Sequence, residues 1–139
     1  MKGQYLTLEY LIFFMIGVFL IISVYVSFSN MNEKYRESTM KNQLQMTGEL
    51  ISGAIINVYE VSNSTNSSIN YTLSIPTKVS GCIYAINATI FGLNINCTNV
   101  PNVGIVLTSY NFNISNKNII YSTNGILELF AKDGRVELS

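Results

Sequence analysis

"YLIFFMIGVFLIISVYVSF", residues 10–28, is the stretch on which the fold turns, and it carries no ionised side chain. The charge-free run is longer still, from Glu9 to Glu33. A helix needs about 20 apolar residues to cross ~30 Å of hydrocarbon at 1.5 Å per residue. A chain of 139 residues has no core wide enough to surround a helix that is apolar on every side. The stretch therefore reads as a membrane span. A secretory signal peptide would have an apolar centre of about 7–15 residues and a cleavage site of the Ala-x-Ala kind. Ser23, Ser27 and Ser29 are instead separated by bulky residues, so the segment is expected to stay attached.

Composition narrows the function. Charged residues make up 12 % of the chain, the net formal charge is +0, and there is no His and no Trp. Nucleic acid calls for clustered Lys and Arg to neutralise phosphates, and that cluster is missing. The commonest general base and metal ligand is missing too. Two cysteines, Cys82 and Cys97, do not complete a four-ligand zinc site. Asp133 falls in a turn signal, and Glu128 and Glu137 take alternating strand positions rather than forming an acid/base pair. The expectation is a protein that is not an enzyme, with no cofactor, no metal site and no nucleic-acid partner.

The helical pattern continues beyond the span. From Met31 to Glu60 there is no Pro, and Gly48 and Gly53 are the weak helix formers. Leu44, Ile51 and Val58 recur every seven residues, as do Met40, Thr47, Ala54 and Val61, with the charged residues mostly off that stripe. Such a stripe serves either its own domain's core or a coiled-coil seam with a neighbour, and the two uses are compatible.

After Glu60 the composition changes. "VSNSTNSSINYT" is rich in Ser, Thr and Asn and reads as a loop. Beyond it the period is two: "INYTLSI", the 107–114 part of "GIVLTSYNFNIS", and "GILELFAKDGRVELS", where Asp133-Gly134 gives the short hairpin signal. "GCIYAINATIFGLNINCTN" reads as another strand pair. The expected fold is α+β: a long N-terminal helix, transmembrane over 4–29 and an amphipathic stalk over 30–60. A small antiparallel sheet or sandwich of five to seven strands follows over 61–139.

Six sequons, at Asn63, Asn66, Asn70, Asn87, Asn96 and Asn113, lie beyond Glu60 and are expected in turns or at strand edges as glycosylation acceptors. Cys82 and Cys97 flank the "CIYAINATIFGLNINC" hairpin, either bridged across it or left as two buried thiols. A bridge closing about 15 residues is worth ~3 kcal/mol in the chain-entropy model. Counting Lys and Arg alone directs the C-terminal part inward. Its Asn/Ser/Thr-rich, Lys-poor surface and its cysteine pair direct it outward, which is the expectation adopted: single-pass, N-terminus inside, β domain outside.

Lys2-Gly3-Gln4, then Glu9 within "LEY" at the head of an uninterrupted apolar helix, resembles the class III signal peptide of archaeal type IV pilin-like proteins. The resemblance is specific for about the first 30 residues and architectural beyond them. It implies a leader, residues 1–3, removed between Gly3 and Gln4 by a prepilin-type peptidase. It also implies an assembly role for Glu9, paired with the new amino group of a neighbouring copy. The leader is short for the family, and Glu9 would be the sixth mature residue rather than the fifth. A carboxylate at the lipid boundary costs a few kcal/mol if it faces hydrocarbon unpaired; the alternative is that Glu9 sits among headgroups. The function implied is a structural subunit of a pilus-like surface filament. It would associate with membrane lipid and with copies of itself, and display a β domain for surface contact or adhesion. The other reading is a permanently anchored single-span accessory protein whose external domain binds another envelope or filament-machinery component.

Overall fold

The computed structural model describes residues 2–90, 92–108 and 110–139, with the backbone alone for 2–6 and 108. A single α-helix, α1, covers Lys2–Thr65 and is followed by eight strands. Contacts divide the chain into two units, Met1–Arg36 and Glu37–Ser139.

In the first unit the described side chains are solvent-facing almost throughout, and the helix is long and apolar enough to cross a membrane. Two polar groups that lipid would leave unsatisfied bond inside the helix. Ser23 Oγ donates to the Phe19 carbonyl and Ser27 Oγ to the Ser23 carbonyl, each at 2.8 Å.

In the second unit α1 continues through the segment read as a loop. It ends at Thr65, with Asn66 at φ 50 as the left-handed C-terminal residue and the Ser67 N–H bonding back to the Ser62 carbonyl. Ser64 and Thr65 hydroxyls donate to the Val61 carbonyl, so residues that read as loop formers sit on the last helical turn. The buried face runs Met40, Leu44, Thr47, Ile51, Ile55, Val58, Ser62. The seven-residue reading holds for Leu44, Ile51 and Val58, and for Met40 and Thr47 of the other series. After Thr47 that second series leaves the core, the contact passing from Ala54 to Ile55 and from Val61 to Ser62, because a 3.6-residue helix drifts about 20° per heptad.

The strands are β1 Ile69–Ser74, β2 Tyr84–Thr89, β3 Gly92–Cys97, β4 Gly104–Thr108, β5 Asn113–Asn116, β6 Ile120–Tyr121, β7 Ile126–Lys132 and β8 Arg135–Leu138. They form two four-stranded sheets, β1-β7-β8-β5 and β4-β3-β2-β6. Among the described residues there are eight strands rather than the expected five to seven, the two-residue β6 being too short for any periodic signal. The 107–114 run is not one strand but the end of β4 and the start of β5, which lie in different sheets. The fold is α+β and mostly antiparallel, with one parallel pair, β5 beside β8. β7 and β8 form the expected hairpin, with Asp133 at φ 50 and Gly134 at φ 74 as its turn.

One apolar core joins the helix face to both sheets. Leu127, Leu129 and Ala131 alternate inward on β7; Tyr84 and Ile86 do so on β2, and Leu93 and Ile95 on β3. Gly48 lets the helix approach the second sheet: a Cβ there would meet Ile105 Cδ1 and Leu107 Cδ1 at 2.7 Å. Polar ties fix the loops. Ser122 Oγ donates to the Thr77 carbonyl at 2.8 Å and accepts the Tyr84 N–H, while Tyr84 Oη donates to the Pro76 carbonyl at 2.6 Å. Asn116 Oδ1 accepts the Ala88 N–H, linking β5 of one sheet to β2 of the other.

Candidate functional site

Helix α1 carries a second, exposed stripe within the Glu37–Ser139 unit. Met46 is 70 % exposed, Leu50 52 % and Val61 50 %, and Gly53 and Asn57 fall between them at helical spacing. Alongside it runs β1, an edge strand that among the described residues pairs with β7 alone. Ile69, Tyr71 and Leu73 of β1 face the stripe across a groove of about 560 Å³. Its lining is apolar apart from Glu49 and Asn57. Gly53 opens its floor, since a Cβ there would touch nothing within 4 Å. Large exposed apolar side chains on one helix face beside the open edge of a sheet are the feature that a self-contained domain buries.

The loop between β4 and β5 is clamped onto the helix. Tyr59 and Phe112 stack with ring centroids 3.8 Å apart, and Tyr110 meets Phe112 edge-on at 5.3 Å. Tyr110 Oη donates to Ser52 Oγ at 2.8 Å. Burial pushes the Tyr110 phenol above its ordinary pKa, against a smaller downward pull from that hydrogen bond. Tyr84, fully enclosed, is pushed up by burial to about 12.

The residues singled out from sequence are distributed rather than gathered. Glu9 is exposed on the first unit's helix. The side chains of Gly3 and Gln4 lie outside the described residues. Cys82 and Cys97 are bonded, with Cα atoms 5.9 Å apart, tying the segment before β2 to the end of β3. The sequons are not confined to turns and strand edges. Asn63 is on the last turns of α1, Asn66 in the turn after it, Asn70 on β1 and Asn113 on β5, while Asn87 and Asn96 are on the inner strands β2 and β3. Asn87 is half-buried and the other five are exposed. Glu128 and Glu137 alternate along β7 and β8 and Asp133 is in the turn, as expected. Among the described residues no three His, Cys, Asp or Glu side chains gather as a metal site.

Sequence reasoning missed the groove. The helical half of it is visible in the spacing of Met46, Leu50 and Val61, but nothing local signals that β1 lies beside that face. Comparison with protein-family models, curated proteins and solved structures finds no match to this chain.

Proposed function

We propose that the chain is the structural subunit of a type IV pilus-like surface filament. It is anchored in the membrane by the apolar first part of α1 before assembly, with its N-terminus inside and its β domain outside. The observation that carries this reading is the exposed stripe of Met46, Leu50 and Val61 with the groove beside it. It lies on a part of the helix carrying Gln45, Glu49 and Glu60, beyond the apolar span. A helix that only tethers a domain needs its lipid-facing residues and nothing more. A helix that also bundles with copies needs a second apolar face beyond the bilayer. The Cys82–Cys97 bridge supports the outward orientation, because such bonds persist in oxidising compartments.

In this reading a prepilin-type peptidase cuts between Gly3 and Gln4, and Glu9 pairs with the amino group so formed on a neighbour. The exposed sequons Asn63, Asn66, Asn70, Asn96 and Asn113 are the acceptors open to glycans, and the β domain makes the surface contact or adhesion. N-terminal mass measurement of the native protein, with electron microscopy of shed filaments, tests it. A chain beginning at Gln4 within filaments is the expected result. An uncut chain found only as single copies in the membrane refutes it and favours the anchored accessory protein.

A further inference from the structure

Among the described residues the two sheets have four edge strands, β1 and β5 in one, β4 and β6 in the other. Sheet edges are ordinarily protected by charge, Pro, a bulge or shortness. β6 has two residues, and β5 has four and runs into Lys117. β1 (INYTLS) and β4 (GIVLT) contain no charged residue and no Pro, and each pairs with its inner neighbour in unbroken register. These two edges are unprotected.

Main-chain hydrogen bonds fix which groups each edge leaves open. Glu128 and Ser139 exchange N–H and carbonyl bonds, so even positions of β7 face β8 and odd positions face β1. The Ile75 N–H bonds the Gly125 carbonyl, which gives the same parity from the other side. Ile69, Tyr71 and Leu73 are therefore engaged with β7, and the N–H and C=O groups of Asn70, Thr72 and Ser74 point out from the edge. In the second sheet the Cys97 N–H bonds the Val103 carbonyl. Ile105 and Leu107 accordingly face β3, and Gly104, Val106 and Thr108 point out. Each edge offers three residues, at every second position.

The two edges run in opposite directions along one helix. α1 ends at Thr65 and β1 starts at Ile69, so β1 returns antiparallel to the helix, beside Ala54, Val58 and Val61. About 130° away around the helix, Gly48 faces Ile105 and Leu107, Ser52 accepts from Tyr110, and Tyr59 stacks on Phe112. That order makes β4 parallel to the helix.

We propose that β1 of one copy pairs edge to edge with β4 of the next. This rests on the filament reading and names the contact between β domains within it. Two copies in the same orientation bring these strands together antiparallel, and chains inserted in one membrane from the same side share an orientation. Asn70 then lies opposite Thr108, Thr72 opposite Val106 and Ser74 opposite Gly104, so every open position on both edges bonds. The same register sets Tyr71 against Leu107 and Leu73 against Ile105 on the inner side. The partner's helix, packed through Gly48 on that side of its own β4, is carried in over the groove. Main-chain bonds give such strand addition its affinity, and the alternate side chains give it specificity. Because the two edges differ, the contact is heterologous and propagates into an open filament when its rotation closes no ring. A β1–β1 or β4–β4 pair would instead turn one helix against the other.

Cysteines at facing outer positions test it in full chains assembled in their own membrane. Thr72→Cys with Val106→Cys should give a ladder of covalent multimers on oxidation, because directly opposed Cα atoms lie about 5.5 Å apart, within disulfide reach. Each single variant should form no cross-link. Covalent dimers from either single variant overturn the pairing in favour of like edges, and filaments of the double variant that give no ladder overturn it outright. Thr72→Lys with Val106→Lys opposes like charges and should lower filament yield about fivefold or more, while Thr72→Lys with Val106→Glu restores it. Both side chains are exposed, so an unchanged melting temperature and an intact Cys82–Cys97 bridge are expected and show that each variant folds. Full yield with both lysines in place overturns the pairing and leaves the filament reading standing. Wild-type chains that form no filament remove the filament reading and this pairing with it.

Discussion

Two glycines five residues apart on α1 should respond oppositely to the same substitution. At Gly48 an added Cβ meets the Cδ1 atoms of Ile105 and Leu107 at 2.7 Å and that of Ile95 at 3.2 Å. Ordinary carbon contacts lie at about 3.5–4.0 Å, so Gly48→Ala must move two packed side-chain ends by close to an ångström or lift the helix. Overpacking of this kind costs about 1–3 kcal/mol. At Gly53 the added Cβ meets nothing. Helix propensity favours Ala over Gly by about 0.8–1 kcal/mol at either position and cancels in the comparison. Gly53→Ala should therefore be more stable than wild type by about 0.5–1 kcal/mol, and Gly48→Ala should fall about 1–3 kcal/mol below Gly53→Ala. Urea unfolding of the full chain in micelles, followed by near-ultraviolet tyrosine dichroism, reads the difference as a midpoint shift of about 0.5–1.5 M at a slope near 2 kcal/mol/M. Equal midpoints would refute the packing assigned to Gly48. The groove makes a further demand on the second position. Gly53→Phe should fold normally yet block the partner's helix, and normal filaments from that variant would show that the groove is not an assembly surface.

Glu9→Gln should leave insertion and domain folding intact while abolishing filaments, because removing one partner of a partly buried charge pair strands the other at about 3–5 kcal/mol; normal filament yield would make the carboxylate a bystander. Replacing Cys82 and Cys97 by Ala should lower stability by about 3 kcal/mol, the loop closed by the bridge spanning 15 positions. Alkylation of the unfolded, unreduced protein should find no thiol. Protease applied to intact cells should remove the β domain, and full protection until lysis would reverse the orientation. Tyr84, raised by burial from 10.0 to about 12, binds its proton more tightly in the folded chain than in the unfolded one. Its contribution is thus complete below pH 10.0 and lost as pH climbs to about 12. Alkaline unfolding should be shallower in Tyr84→Phe than in wild type, and an unchanged profile would show that this phenol does not titrate there.

Local chemistry determined the elements. Uninterrupted apolar residues before Glu33 favour a helix long enough to cross a membrane, because a backbone crossing hydrocarbon must satisfy its own hydrogen bonds. Alternation in 126–138 together with Asp133-Gly134 dictates a hairpin, because the turn needs two residues tolerant of positive φ. Cys82 and Cys97 bound a strand pair short enough to bring them together. The helix terminus was less legible: Ser62, Ser64 and Thr65 suit a loop as well as a last turn, and the core contact of Ser62 selects the turn.

Pairing between distant strands was decided only in three dimensions. Nothing in 104–116 announces that β4 joins β3 while β5 crosses to lie parallel to β8, since a strand's side chains specify a buried face but not a neighbour. The same holds for function. Gly48 and Gly53 look alike in sequence, both being weak helix formers in one helical run. Only the tertiary structure sets packed side chains against the first and an open groove before the second. The charges of 128–137 read as an ordinary solvated strand face, and the strand register is what sets Lys132 against Arg135 and gathers them with Glu128 and Glu137 on one side. A sequence specifies local conformation through interactions within a few residues, whereas a site is a coincidence of surfaces far apart along the chain, fixed by how the core closes.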